Sequence, residues 1–297
     1  MVKKYTMQDI ADVANVSKTT VSYVLNDKSN ARVSEETRRK ILQIANLYRY
    51  VPNLSAKYLC GNNKKLIGII IGDSSFRSFI NEYKIIYLLY EIFSANDYKL
   101  VLLDNKRQNN YMDLAYDMIL AINLSEEHIK EIGVNTFSPI ILFDSMFSDN
   151  LFFKIINDYT SAAKKAMAYF NDPDNCALIY CLRNNKGLND LIGGLQVEPK
   201  IAFDGQNRKE IDDFLTANKD KNFIAIGDIA GFIALSAIKY ERLAVITFSH
   251  NCAFPEEVRQ IVFCEHLLKE YVRMVVEKLD ARGAQEQDQH IFWVDPA

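Results

Sequence analysis

The chain has 297 residues, 49% of them apolar and 25% charged, enough for about two globular units and too apolar for a disordered chain. Apolar runs such as Leu66–Ile71 and Ile85–Tyr90 fall far short of the ~20 residues a membrane-spanning helix needs, and the start MVKKYTMQDI has no apolar signal core, which predicts a cytoplasmic protein without a membrane partner. Net charge is −3, but residues 1–65 hold twelve Lys and Arg against five Asp and Glu, +7, leaving −10 for the rest; a basic head on an acidic body suggests a polyanion partner for the head.

Thr6, with Asp9 three residues on, forms a capping-box pattern that starts a first helix, and Met7, Ile10, Ala11 and Ala14 share one face of it. Asn15 tolerates a left-handed turn, and Ser17 can cap a second helix whose Val21, Val24 and Leu25 face the first. Ser34 caps a third stretch, Glu35–Tyr48, with Ile41, Ile44, Ala45 and Tyr48 turned inward. Three short helices can enclose one small core. The second presents Lys18, Thr19 and Tyr23 away from its apolar face, as a helix reading base edges in the major groove must. Lys18 can equally bind phosphate, and Tyr23 can serve as a packing aromatic. After Tyr50-Val51-Pro52-Asn53 comes Leu54–Gly61, about two turns of helix, too short to be stable alone.

The run D-I-A-x-x-A-x-V-S-x-x-T-V-S-x-V-L-N, followed by V-S-x-x-T-R and Y-x-P-N-x-x-A-x-x-L, resembles the headpiece and hinge of the lactose-repressor (LacI/GalR) family over about residues 6–60. The resemblance implies a homodimer whose heads dock in successive major grooves of a near-palindromic double-stranded operator, with two hinge helices in the central minor groove. It implies that Lys18, Thr19 and Tyr23 read bases, and that Ser17, Thr20, Ser22, Asn26 and Tyr50 make backbone or supporting contacts. Thr6 is counted with them, Asn53 and Ala56 are placed in the minor groove, and Leu59 is the apolar wedge at the central base step. Leu59 read alone is also compatible with a plain contact to the body. Unstacking one step costs a few kcal/mol, which the added contacts of bent DNA offset.

Beyond residue 65, strand-like runs at Leu66–Ile71, Tyr98–Asp104, Met118–Ile122, Pro139–Phe143, Ala177–Leu182, Lys200–Phe203, Phe223–Ile226 and Leu243–Phe248 alternate with helical stretches. The helices are expected at Phe79–Ala95, Glu126–Ile132, within Phe152–Phe170, and at Lys209–Asn218, Ala230–Tyr240 and Leu267–Arg282. This predicts parallel α/β sheets with crossover helices. The resemblance implies the two-lobed, periplasmic-binding-protein-like effector domain. The expected organisation is therefore an all-α helix-turn-helix head at 1–50, a hinge at 51–65 and an effector-binding and dimerisation body at 66–297, its lobe boundary near 171 and the chain returning near 260.

A ligand in such a body sits at the carboxyl ends of strands from both lobes. The candidates there are Asp73, Ser75 and Phe76 after the first strand, Asp144 after Pro139–Phe143, Asp158 before the helix Tyr159–Phe170, and Asp228 after Phe223–Gly227. Acids can accept hydrogen bonds from sugar-like hydroxyls and Phe76 can stack on an apolar face; ordinary helix caps and solvated loops explain the same residues. Departures from the family pattern lie here. Its R-x-x-G segment is replaced by Asp190-Leu191-Ile192-Gly193, with Arg183 nearby; its Asn-Asp pair is Gly227-Asp228; and the acid-bearing segment after Leu243–Thr247 is Phe248-Ser249-His250. The stretch Asp104–Asp117 is short for a crossover helix. Either the effector differs from the family's polyhydroxylated molecules, or the cleft binds no small molecule and control comes from another protein or from abundance.

Enzyme readings find little support. The eleven glycines form neither G-x-G-x-x-G nor a G-x-x-x-x-G-K-[ST] loop, G-x-S-x-G is missing, and His128, His250, His266 and His290 form no H-E-x-x-H. Cys264-Glu265-His266 lacks further ligands at zinc spacing, so no metal or cofactor is expected. The five cysteines, Cys60, Cys176, Cys181, Cys252 and Cys264, are an odd, scattered set that fits reduced thiols. A ligand-binding protein or sugar-modifying enzyme without DNA function is the alternative of a different class, and it leaves the hinge unexplained.

Overall fold

The computed structural model describes residues 6–25, 33–47, 66–72, 76–103, 116–136, 138–148, 152–248, 250–251, 253–280 and 291–297. Internal contacts divide the chain into two compact units, Met1–Asn63 and Lys64–Ala297.

In the first unit, α1 (Met7–Ala14) starts at Thr6, whose hydroxyl accepts from the Asp9 N–H while the Asp9 carboxylate accepts from the Thr6 N–H at 2.7 Å. It ends at Asn15, where φ is 55°, a left-handed turn that Asn tolerates better than most residues. Ser17 then caps α2 (Lys18–Leu25), accepting from the Thr20 N–H at 3.0 Å, and Ser34 caps α3 (Glu35–Leu47) through the Thr37 N–H at 3.2 Å. Ile10, Ala11, Ala14, Val21, Val24, Ile41 and Ala45 are buried together. Lys40 ties α3 to the carboxyl end of α1 by donating to the Ala14 carbonyl at 2.9 Å, where a cation also suits the helix dipole.

The second unit contains two all-parallel sheets. The first has the order β11-β5-β4-β3-β1-β2, from β1 (Leu66–Ile71), β2 (Lys99–Leu103), β3 (Met118–Ile122), β4 (Ile140–Phe143), β5 (Phe153–Asn157) and β11 (Ile291–Val294). The second has the order β10-β9-β8-β6-β7, from β6 (Cys176–Cys181), β7 (Lys200–Phe203), β8 (Asn222–Ile226), β9 (Leu243–Thr247) and β10 (Arg259–Val262). Helices α4 (Phe76–Ser94), α5 (Glu126–Asn135), α6 (Tyr159–Tyr169), α7 (Lys186–Gly193), α8 (Arg208–Ala217), α9 (Asp228–Leu235) and α10 (Glu265–Asp280) complete it. Central strands β3, β6 and β9 are buried at every residue, as parallel strands covered on both faces must be. This is the two-lobed, periplasmic-binding-protein-like architecture.

The chain passes between lobes three times. It leaves the first sheet at Asn157, and α6 packs against β8, β9 and β10, so the first crossing lies at Asp158 and not near residue 171. The sequence reading places a helix within Phe152–Phe170 but no strand ahead of it, whereas residues 153–157 form β5, with Lys154 fully buried inside the sheet. The second crossing follows β10 at Phe263 and the third follows β11, and the Cys264 N–H donates to the Asp295 carbonyl at 2.9 Å between them. Strands β10 and β11 are four residues each, too short to show a period; α7 buries only Leu188 and Ile192.

Candidate functional site: the recognition helix and the interlobe cleft

On α2, Val21 and Val24 are buried against the other two helices while Ser17, Lys18, Thr19 and Tyr23 are exposed and Thr20 and Ser22 are half-buried. Lys18 with Ser22, and Thr19 with Tyr23, are i,i+4 neighbours, so these side chains form one outward face. Lys18 is the helix's one charged residue and sits in its first turn, where the helix dipole also favours an anion. Thr6 and Ser17 serve as caps in the head. Asn26, Tyr50, Asn53, Ala56 and Leu59 lie outside the described residues, as does the hinge.

In the body, the carboxyl ends of strands from both lobes meet across a buried polar layer. Asn123 and Asp144, each one residue beyond β3 and β4, adopt positive φ of 52° and 47°. Asn123 donates to the Glu82 carboxylate on α4 at 2.9 Å. Asp144 accepts from the Tyr159 hydroxyl at 2.5 Å and from the Asn157 side-chain amide at 3.3 Å. Opposite stands Arg183, just past β6 and buried, its charge facing Tyr159, Asp144 and Glu82. Burial raises the Asp144 carboxyl above its ordinary 3.8, and Arg183, Tyr159 and Asn157 lower it only in part. Burial likewise raises the Tyr159 phenol, with Asp144 adding to the effect. Burial acts to lower the Arg183 value, but the surrounding groups, Tyr159 first, outweigh it and the guanidinium stays charged.

The second charged contact runs the other way. Lys84 on α4 of the first lobe lies 3.5 Å from Asp228 at the start of α9, and Asp228 also accepts from Thr247 at 3.0 Å and Asn251 at 3.1 Å. Each lobe thus offers an acid to the other lobe's base. Asn185, the fully buried cap of α7, ties the same region together by donating to the Leu124 and Met146 carbonyls at 2.9 and 3.0 Å. Gly187 permits the close approach, since a Cβ there would lie 2.9 Å from the Met146 Cβ. Between Asp144, Asn157, Tyr159, Arg183, Phe248 and Phe263 remains a cavity of about 10 Å³, room for about one water.

Of the acids singled out from sequence, Asp144 lines this cavity and Asp228 joins the polar layer beside it. Asp158 does not line the cavity; it caps α6 through the Ser161 N–H at 3.0 Å and its hydroxyl at 2.6 Å. Phe76 begins α4, its side chain lying outside the described residues, as do Asp73 and Ser75 entirely. Sequence reasoning missed Glu82, Lys84, Asn123, Asn157, Tyr159 and Asn185 and left Arg183 unassigned. Asn123, Asn157 and Arg183 follow a strand or end one, a signal that was available; Glu82 and Lys84 lie inside a helix and carried none. Among the described residues, no three His, Cys, Asp or Glu are grouped to hold a metal ion, and no helix is long and apolar enough to cross a membrane.

Residues 6–53 match the family model described as "Bacterial regulatory proteins, lacI family". The chain is 33% identical over 163 residues to the sucrose operon repressor of Pediococcus pentosaceus, covering 52% of this chain and 47% of that protein. It is 28% identical over 179 residues to the probable HTH-type transcriptional repressor ExuR of Bacillus subtilis, covering 56% and 50%. The chain thus spans about half the length of these curated relatives, which are transcriptional regulators. Among solved structures, the lac repressor dimer bound to operator and the anti-inducer ONPF shares the fold with a TM-score of 0.60 at 15% identity, over 99% of this chain and 97% of that one. Over residues 6–53 the chain is similar to the lacI family of bacterial regulatory proteins, and along its length it shares the fold of the solved lac repressor.

Proposed function

We propose that the chain is a sequence-specific, non-enzymatic transcriptional repressor of the cytoplasm that binds a near-palindromic double-stranded operator as a homodimer and responds to a small molecule in the interlobe cleft. The observation that carries this reading is the outward face of α2, Lys18, Thr19 and Tyr23 over a capped helix-turn-helix core, within the segment that matches the family. Residues 1–50 form the head, 51–65 the hinge and 66–297 the body. Leu59 is the wedge that opens the central step, flanked in the minor groove by Asn53 and Ala56, with Asn26 and Tyr50 on the backbone. A dimer clamped across bent DNA obstructs polymerase. Selection of bound duplexes from a random pool tests the reading: a symmetric site with two half-sites is expected, and recovery of unrelated sequences overturns it. Affinity for random duplex should fall steeply with salt, as several Lys and Arg contacts to phosphate require.

A second reading concerns the cleft alone, and its small cavity favours it. With the polar layer satisfied largely by its own members, a ligand must first open the lobes, and control by another protein or by abundance then replaces an effector. A melting scan against sugars, nucleosides and phosphorylated metabolites separates the two. A ligand that raises the midpoint establishes an effector, and a flat scan favours the closed cleft.

A further inference from the structure

The two walls of a ligand cleft ordinarily keep their hydrogen-bonding groups for an occupant, in a pocket of roughly 300–1,000 Å³. Here the walls bond to each other. The Tyr159 hydroxyl of the second lobe donates to Asp144 of the first at 2.5 Å, and Lys84 of the first lies 3.5 Å from Asp228 of the second. The Asn184 N–H reaches across to Asn123 Oδ1 at 3.1 Å, and the Met146 N–H reaches back to Asn185 Oδ1 at 3.0 Å. Asn123, Asn185 and Asp228 are 4%, 0% and 1% exposed, so closure takes these groups out of water and supplies their partners from the opposite lobe. Ile85 of α4 lines the remaining cavity with Ile226, Ile246 and Phe248 of the second lobe. Its volume of about 10 Å³ holds one water and excludes an organic ligand.

We propose that these crossed contacts form a latch: the body rests closed without a ligand, and an occupant of the cleft holds the lobes apart instead of drawing them together. This deepens the reading of a closed cleft and does not depend on how the head meets DNA. The contacts come from separate elements, Tyr159 from α6, Lys84 from α4, Met146 from the loop after β4 and Asn184 and Asn185 from the turn before α7, yet all span one gap. Separating the lobes breaks them together, so losing any one makes opening easier. A ligand shifts an equilibrium only toward the state it fits. The closed state has no room for one, so a cleft ligand binds the open minority and its apparent affinity falls by that fraction. A body open about 1% of the time binds about a hundredfold more weakly than its open form would. The latch therefore sets a threshold, below which a scarce ligand leaves the body unchanged.

The test is amide hydrogen exchange of the ligand-free full chain, read by mass spectrometry, for wild type, Lys84→Met and Tyr159→Phe. The Asn184 and Met146 amides report opening, because each donates to the other lobe. Within the lobes, Ile119 donates to the Pro139 carbonyl at 2.8 Å and Leu178 to the Pro199 carbonyl at 2.9 Å, and these two amides report unfolding. In wild type the reporters should exchange about a hundredfold or more slowly than in an unstructured peptide. Neither substitution touches the acceptor of a reporter amide, yet each should speed both reporters about fivefold or more while Ile119 and Leu178 keep their wild-type rates. Reporters that exchange within about threefold of the unprotected rate, with Ile119 and Leu178 still slow, mean a body that rests open and overturn the latch. Protected reporters that neither variant speeds beyond about twofold overturn it too, since these contacts then do not hold the lobes. A ligand found by the melting scan removes the second reading of the cleft, but the latch stands if the reporters are protected before that ligand is added.

Discussion

Asn185 of the second lobe and Met146 of the first exchange two hydrogen bonds: the Met146 N–H donates to Asn185 Oδ1 at 3.0 Å, and Asn185 Nδ2 donates to the Met146 carbonyl at 3.0 Å. One side chain thereby pairs with a backbone segment of the other lobe as a neighbouring strand would. The same Oδ1 accepts from the Leu188 N–H at 2.9 Å, so the cap of α7 and the clasp between lobes are one group.

Asn185→Ala should therefore act twice. It removes a helix cap and strands buried partners at Leu124 and Met146, which costs on the order of 3 kcal/mol in all. Urea unfolding of the full chain should show the body transition at lower denaturant while the head transition stays in place. If the loss is confined to that of an ordinary cap, about 1 kcal/mol, the bonds to Met146 contribute nothing to closure.

Asp144 gives the cleft a pH signature. Its carboxyl is raised above 3.8 in the fold, so the folded body holds that proton more tightly than the unfolded chain. The associated stability is fully present below pH 3.8 and is lost as pH rises through the raised value. Melting of wild type minus melting of Asp144→Asn should fall across that window and level off above it. A difference that instead grows with pH would show that Arg183 and Tyr159 outweigh burial.

The alternation of strands and helices made the parallel α/β sheets legible because the central strands are almost wholly apolar: Met118–Ile122 and Leu243–Ile246 admit no other burial. The head was legible for a different reason, since Thr6, Asn15 and Ser17 write their caps and turn into local sequence. The cleft was read less well. Its acids were located by strand ends, but Asp158 turns back to cap its own helix, a choice made by a hydrogen bond three residues away. Lys84 and Glu82 meet the polar layer only through the way α4 lies over the strand ends, which depends on tertiary packing that no local pattern encodes.

The crossed charges at the cleft are expected to be unequal. Asp228 retains Thr247 and Asn251 when Lys84→Met removes the cation, and Lys84 is partly solvated, so the loss should be modest, about 1 kcal/mol. Arg183→Met removes the cation that acts on both Asp144 and Glu82 in a buried site and should cost more, about 3 kcal/mol. Paired thermal melts at neutral pH check the ranking, and a larger loss from Lys84→Met would reverse the assignment of the stronger contact.

The head offers the sharpest separation of stability from recognition. Ile10 is wholly buried in a core of few side chains, so Ile10→Ala should cost about 2–4 kcal/mol and unfold the head while the body melts as before. Lys18→Ala and Tyr23→Ala remove side chains that point outward from α2 and should leave the head's melting close to wild type. Their effect should appear in binding, as a change in base preference worth about 1–3 kcal/mol at one position of each half-site. If either variant instead weakens binding equally on every sequence and lowers the salt slope by about one, that side chain contacts phosphate and the bases are read elsewhere on the helix.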